Sequence, residues 1–252
     1  MKPSATFIAI AGLVLWLALP CAALTAPPAT PVIGEEVDEY AAPPVSDPLE
    51  RMNRAIFKFN DGFYTHALRP LARGYERVVP SPIRHGLANF FDNLKFPIRF
   101  ASCALQAKPG RAVRETGKFL LNSTIGIGGL RRVSDSVPQL AAVPPEDIGQ
   151  TFGVWGIGHG PFLVLPFLGP SSLRDVFGMV GDTMLNPVNW SGTSRTIKGY
   201  NPTWRYSLEA VDFINLSPDL IRTYDSFKHA AIDPYVSVRN GYLQHRAAML
   251  KQ

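Results

Sequence analysis

The chain repeatedly places a proline after a small polar residue, as in Asp47-Pro48, Ser81-Pro82, Asn201-Pro202, Ser217-Pro218 and Asp233-Pro234. A polar side chain can cap the free amides at a helix start, and proline at the first helical position gives up an N–H that has no partner there anyway. Glu50, three residues after Asp47, completes a capping-box pattern. A chain punctuated in this way folds as many short helices. The apolar spacing agrees: Leu49, Met52, Ile56, Phe59 and Phe63 share one helical face, as do Ile83, Leu87, Phe90 or Phe91, and Leu94. A further helix is expected from about Arg111 to Asn122, with Val113, Gly117, Leu120 and Leu121 on one side. Another opens at Asp233 and carries Tyr235, Val238, Tyr242 and Met249. Such stripes ordinarily pack into a protein core.

The middle of the chain breaks this rhythm. Gly126–Gly129 and Gly153–Pro170 interleave glycine and proline with large apolar residues, and no charge occurs between Asp147 and Arg174. Phe162–Leu168, with Pro166 inside it, reads as an edge strand or hairpin, or as a loop laid on something apolar. An uncharged run too broken to span a bilayer either fills an ordinary core or lines a cavity or membrane interface while protein covers its polar groups.

The first residues are not part of the folded body. Lys2 followed by the apolar run Phe7–Leu19 reads as a secretory signal, shorter than the roughly 20 residues a spanning helix needs. Either Cys21 is the acylated first residue of a lipoprotein, although Pro20 is unusual before such a site, or cleavage after Ala23 removes it with residues 1–23. Residues 24–46, rich in proline and alanine, read as an extended tether, and 47–252 as one helical domain. In the 252 residues, 46% are hydrophobic and 18% charged, enough apolar material for a core. The net charge of +5 is scattered, with Arg131-Arg132 and the spaced set Arg111, Arg114 and Lys118 as its nearest runs, so no nucleic-acid partner is expected.

Catalytic and cofactor patterns fail on spacing. Gly110–Lys118 lacks the four-residue gap and the Ser or Thr of a phosphate loop, and Gly169-Pro170-Ser171-Ser172-Leu173 is not a nucleophile elbow, so Ser171 reads as a helix cap. The histidines at 66, 85, 159, 229 and 245 are dispersed, without ligand spacing for a metal. Neither a cofactor nor an enzyme is expected.

Several longer motifs occur in order: Asp47-Pro48-Leu49-Glu50-Arg51-Met52-Asn53-Arg54 with Phe57 and Asn60, then Phe119–Gly129, Thr151–Pro161, Leu165-Pro166-Phe167 with Leu173-Arg174-Asp175, and Asp233-Pro234-Tyr235. Together they resemble the MlaA (VacJ) family. The resemblance implies a ring-like helical protein seated in the outer membrane from its periplasmic side, carrying phospholipid through an amphipathic channel. It also implies association with a trimeric outer-membrane porin and delivery to a periplasmic lipid carrier protein. On this reading Asn53, Phe57, Phe59, Asn60, Phe63, Asn122, Trp155, Phe162, Leu165 and Phe167 are candidates for the lipid path, and Cys21 for lipid attachment. A structural envelope or porin-accessory protein, or a phospholipid hydrolase, are the alternatives.

Overall fold

The computed structural model describes residues 47–141, 144–190 and 203–251. The expected signal segment with Cys21, the tether and the Asn201-Pro202 phrase lie outside them. The first helix, α1 (Glu50–Phe63), runs through a π-helical turn, Tyr64–Leu68, into α2 (Arg69–Val78). The π turn is bonded from Arg69 N to Tyr64 O, immediately ahead of Pro70, whose ring and missing N–H disturb the α ladder. The extra residue brings both Tyr64 and Leu68 inward, where they pack with Ile221.

Next come α3 (Ser81–Leu94), α4 (Phe96–Leu105), α5 (Pro109–Thr124) and, beyond single turns at Val133–Ser136 and Pro138–Ala141, the short α6 (Ile148–Val154). The Gly/Pro-rich segment is a hairpin: β1 (Phe162–Leu165) pairs antiparallel with β2 (Gly169–Ser172), Leu165 opposite Gly169. Then follow α7 (Leu173–Leu185), a turn at Pro187–Trp190, α8 (Thr203–Ala230) and α9 (Pro234–Leu250). Neighbouring elements touch in a closed circuit, α1–α2–α8–α3–α4–α6–α7–β2–β1 and back to α1, with α9 bridging α8, α6 and the hairpin.

The helix-start phrases divide. Asp233 is a true cap, accepting from the amides of Tyr235 and Val236, and α3 begins at Ser81, although the Ser81 side chain caps nothing. Ser217-Pro218 starts no helix: it lies inside α8. Pro218 cannot donate to the carbonyl of Ile214, and the Ser217 hydroxyl takes that acceptor instead at 2.7 Å, which lets the helix continue. Asp47 and Glu50 form no capping box, because Glu50 pairs with Arg54 at 2.7 Å and Asp47 turns toward α9. The cap expected of Ser171 belongs to Ser172, which accepts from Asp175 N, while Ser171 is buried in β2.

The largest departure concerns which way the helices face. On α5 Val113 and Leu120 are exposed, whereas Arg111, Glu115 and Asn122 are buried. On α7 Leu173, Phe177, Val180 and Met184 form an exposed stripe, and Arg174, Asp175 and Gly178 point inward. On α1 Met52 and Phe59 are exposed while Asn53 and Asn60 are buried. Among the described residues 23 buried side chains are polar or charged and only 14 apolar, while 21 large apolar side chains are exposed. A water-soluble domain sorts these classes the other way. Of the stripes expected to build a core, Met52, Phe59, Ile83, Val113 and Leu120 lie on the outer surface, whereas Phe91, Tyr235 and Met249 are buried.

Candidate functional site

Two asparagines seven residues apart on α1 point at the free edge of β1. Asn53 donates to Phe162 O at 2.9 Å and accepts from Val164 N at 2.9 Å. Three residues further on, at the end of β1 and in the turn beyond it, Asn60 donates to Leu165 O at 2.8 Å and accepts from Phe167 N at 2.7 Å. A side-chain amide has the same donor and acceptor as a backbone peptide, so the pair replaces a missing strand. The two-stranded sheet would otherwise leave that edge of β1 unpaired in a buried place. Tyr64 closes the clamp by donating to Phe167 O at 2.8 Å.

The hairpin tip carries strain and aromatic contact together. Phe167 has φ of +66°, a region that side chains other than those of glycine and asparagine rarely occupy. Its ring stands edge-on to Phe59 and Phe63, with centroids 5.2 and 4.8 Å away. Below the tip, Phe162 and Phe57 both meet Tyr235 of α9, at 6.2 and 5.8 Å. Asp47 ties this base down: it accepts from Asn53 at 3.1 Å, from the Tyr235 hydroxyl and from Arg239 at 3.5 Å.

Thus eight of the ten expected residues, Asn53, Phe57, Phe59, Asn60, Phe63, Phe162, Leu165 and Phe167, converge on one junction between α1 and the hairpin. The other two lie elsewhere. Asn122 is buried on α5 and exchanges two hydrogen bonds with Ser134, at 3.1 and 2.9 Å. Trp155 is exposed after α6, its indole N–H bonded to Leu105 O at 3.0 Å.

The inward faces form ionic networks that spacing did not reveal. Arg246 of α9 grips Asp147 through both terminal nitrogens, at 2.6 and 3.0 Å, and reaches Asp175 at 2.8 and 3.1 Å. Tyr242 and Arg174 also hold Asp175, at 2.5 and 3.0 Å. Burial pushes the Asp175 carboxyl up, but Arg246 and its other donors outweigh that and bring it down to about 2. Asp182 behaves oppositely: burial first, and then the negative charge of Asp147, raise it to about 7, while it accepts from Ile148 N at 3.0 Å. The helices meet here without side chains between them, since a Cβ on Gly178 would stand 2.4 Å from Gly149 N. Across the circuit Glu146 is held by Arg111, Gln106 and Lys108, and Glu115 by Arg99 at 2.6 Å. Buried charges persist only when paired in this way. The ordered motifs around Asp47, Leu173-Arg174-Asp175 and Asp233-Pro234-Tyr235 were the one sequence signal for these partners. Their separation in the chain hid the contacts.

The family model described as MlaA lipoprotein matches residues 45–249. The chain belongs to the MlaA family. The intermembrane phospholipid transport system lipoprotein MlaA of Shigella flexneri is 32% identical over 203 residues, covering 79% of this chain and 76% of that protein. The Escherichia coli K12 protein of the same description matches equally, at 32% over 203 residues. The Haemophilus influenzae one is 29% identical over 204 residues, covering 79% of this chain and 77% of its own. A solved MlaA-like structure, described as "Structural basis for maintenance of bacterial outer membrane lipid asymmetry", superposes with a TM-score of 0.66 at 31% identity, over 80% of this chain and 98% of its own. The helical circuit and the hairpin are therefore the MlaA fold. Among the described residues no helix is long and apolar enough to cross a membrane, and no group of three or more His, Cys, Asp or Glu is placed to hold a metal.

Proposed function

We propose that this chain is the outer-membrane component of a phospholipid transport system, withdrawing phospholipids misplaced in the outer leaflet and passing them to a periplasmic lipid carrier protein. The observation that carries the reading is the reversed sorting of side chains, with apolar stripes outward and paired charges inward. Exposed apolar stripes, with no spanning helix among the described residues, suit a protein set into one leaflet from the periplasmic face. Its polar interior suits a headgroup, while the acyl chains stay in apolar surroundings. Keeping chains out of water matters because each exposed CH₂ costs about 0.8 kcal/mol, so a conduit lowers the barrier with no covalent step. Direction then comes from downstream partners, and a trimeric outer-membrane porin is the neighbour that would hold the ring in place.

Within the junction, Phe59, Phe63 and Phe167 are the groups we assign to lipid contact, and Asn53 and Asn60 position them. Phe57 of α1, together with Tyr235, packs beneath the hairpin, of which Phe162 and Leu165 are themselves part. Trp155, exposed with its N–H occupied, suits the bilayer interface. The test is made in cells lacking the gene, by labelling outer-leaflet aminophospholipid on intact cells with an impermeant amine reagent. The parent chain should return labelling to the level of intact cells, and a Phe59→Ala/Phe63→Ala variant that still folds should not. Equal labelling with and without the gene would overturn the transport reading.

A further inference from the structure

The π turn joins α1 and α2 into one unbroken rod. Its buried side runs Asn53, Asn60, Tyr64, Leu68 and Ala72. From Asn60 onward these are four residues apart, and in a pure α-helix each such step would carry the row about 40° further round. The extra residue of the π turn takes up that drift, so one face stays buried from end to end and the opposite face stays exposed. The exposed face carries two parallel rows. Arg51, Lys58, Arg73 and Arg77 form one and Met52, Phe59, Leu71 and Val78 the other, all eight exposed and Val78 at 80%. Between the rows lie Ala55, Gly62 and Gly74, and nothing stands within 4 Å of where a Cβ would sit on either glycine. At 1.5 Å per residue the cationic row is roughly 40 Å long.

The charges of that row are not balanced from within. The acids of the rod are Glu50, Asp61 and Glu76, and each is already engaged: Glu50 with Arg54 at 2.7 Å, Asp61 with Lys228 at 2.5 Å, and Glu76 with Arg84 at 2.8 Å and with Arg222. The rod's two remaining cations, Arg54 and Arg69, pair with Asp233 and Asp225. Among the described residues Arg51, Lys58, Arg73 and Arg77 have no ion pair. Four uncompensated positive charges beside an uncovered apolar row call for an occupant that is anionic along one side and hydrocarbon along the other. A leaflet of anionic phospholipid is both, whereas an acidic protein face would match the cations alone. We infer that the exposed face of the α1–α2 rod docks on anionic phospholipid, with phosphates along Arg51, Lys58, Arg73 and Arg77 and the apolar row set among the acyl chains. The inference rests on the lipid-transport reading above and adds to it a selection by headgroup charge. Phe59 belongs both to this face and to the junction with the hairpin, so lipid held here lies beside the groups assigned to lipid contact.

The test uses the full chain reconstituted into vesicles of phosphatidylcholine, alone or mixed with phosphatidylglycerol, each carrying a nitroxide quencher on the headgroup. A fluorophore is attached through Ala55→Cys or Gly74→Cys on the rod and, as a control, through Val180→Cys on the exposed stripe of α7. On the mixed vesicles both rod labels should be quenched about threefold or more beyond the level on phosphatidylcholine alone. Added salt should shrink that gain, because exposed charges are screened. Arg73→Gln/Arg77→Gln should abolish it at residue 74 and leave the α7 label unchanged, which also shows that the variant is folded and seated. Equal quenching of the rod labels on both vesicles, or a gain indifferent to salt and to the two substitutions, would overturn the selection by charge. Unquenched rod labels beside a quenched α7 label would overturn the docking face in favour of a protein partner and leave the transport reading standing. No quenching at any of the three positions would overturn both.

Discussion

Replacing Asn53 by alanine removes a partner from each of two buried backbone groups. The amide of Val164 and the carbonyl of Phe162 lie in residues that are 3% and 1% exposed, and among the described residues β1 has no second neighbouring strand to take them up. A buried polar group left without a partner costs about 1–3 kcal/mol, so the pair costs about 2–6 kcal/mol. That is a large share of a typical total stability of about 5–15 kcal/mol. Asn60→Ala removes the matching bonds to Leu165 O and Phe167 N, but these residues are only half-buried and water can reach them. Its cost should fall to about 1–3 kcal/mol, the worth of ordinary hydrogen bonds. Denaturant unfolding in a mild detergent, followed by circular dichroism, measures both. The expected order is Asn53→Ala well below Asn60→Ala, and Asn60→Ala below the parent. If Asn53→Ala costs under about 1 kcal/mol, or no more than Asn60→Ala, the asparagines are not acting as a surrogate strand.

Two further outcomes follow from α6 and α7. Asp182 binds its proton more tightly when folded, at about 7, than the ordinary 3.8, so its contribution to stability falls as pH rises between those values and is level above them. Asp182→Asn removes that loss, and its advantage over the parent should grow by about 2 kcal/mol from about pH 5 to about pH 8, counting roughly 1.4 kcal/mol per unit and discounting for partial solvent access; a pH-independent difference in chemical denaturation would contradict it. Gly178→Ala would force a Cβ to 2.4 Å from Gly149 N, a backbone atom that cannot swing aside, and should destabilise by about 1–3 kcal/mol in the same assay. Gly62→Ala, with nothing within 4 Å, is the control and should be neutral or stabilising by up to about 1 kcal/mol.

The sequence by itself determined local things. Apolar periodicity located α1, α3, α5 and α9, Asp233-Pro234 marked the start of α9, and glycine and proline with uninterrupted apolar residues marked the hairpin at Phe162. These are readable because capping, proline geometry and side-chain period act within a few residues. Order along the chain also carried the family motifs. Ser217-Pro218 shows the limit even here: the same dipeptide that opens one helix sits inside another when a hydroxyl can repair the orphaned carbonyl.

Direction was decided only by the tertiary structure. Periodicity states that a helix has two unlike faces and does not state which one meets the rest of the protein, because that depends on the surrounding solvent. Val113 and Leu120 on α5, and Phe177 and Met184 on α7, would be core in water, yet here they face outward and Arg111, Glu115 and Asp175 find their counter-charges inside. The partners of the asparagines are likewise remote, 109 residues from Asn53 to Phe162 and 105 from Asn60 to Leu165. An amide's need for a partner is written in its chemistry. Which backbone meets that need depends on folding α1 against the hairpin, and only the assembled circuit brings the two together.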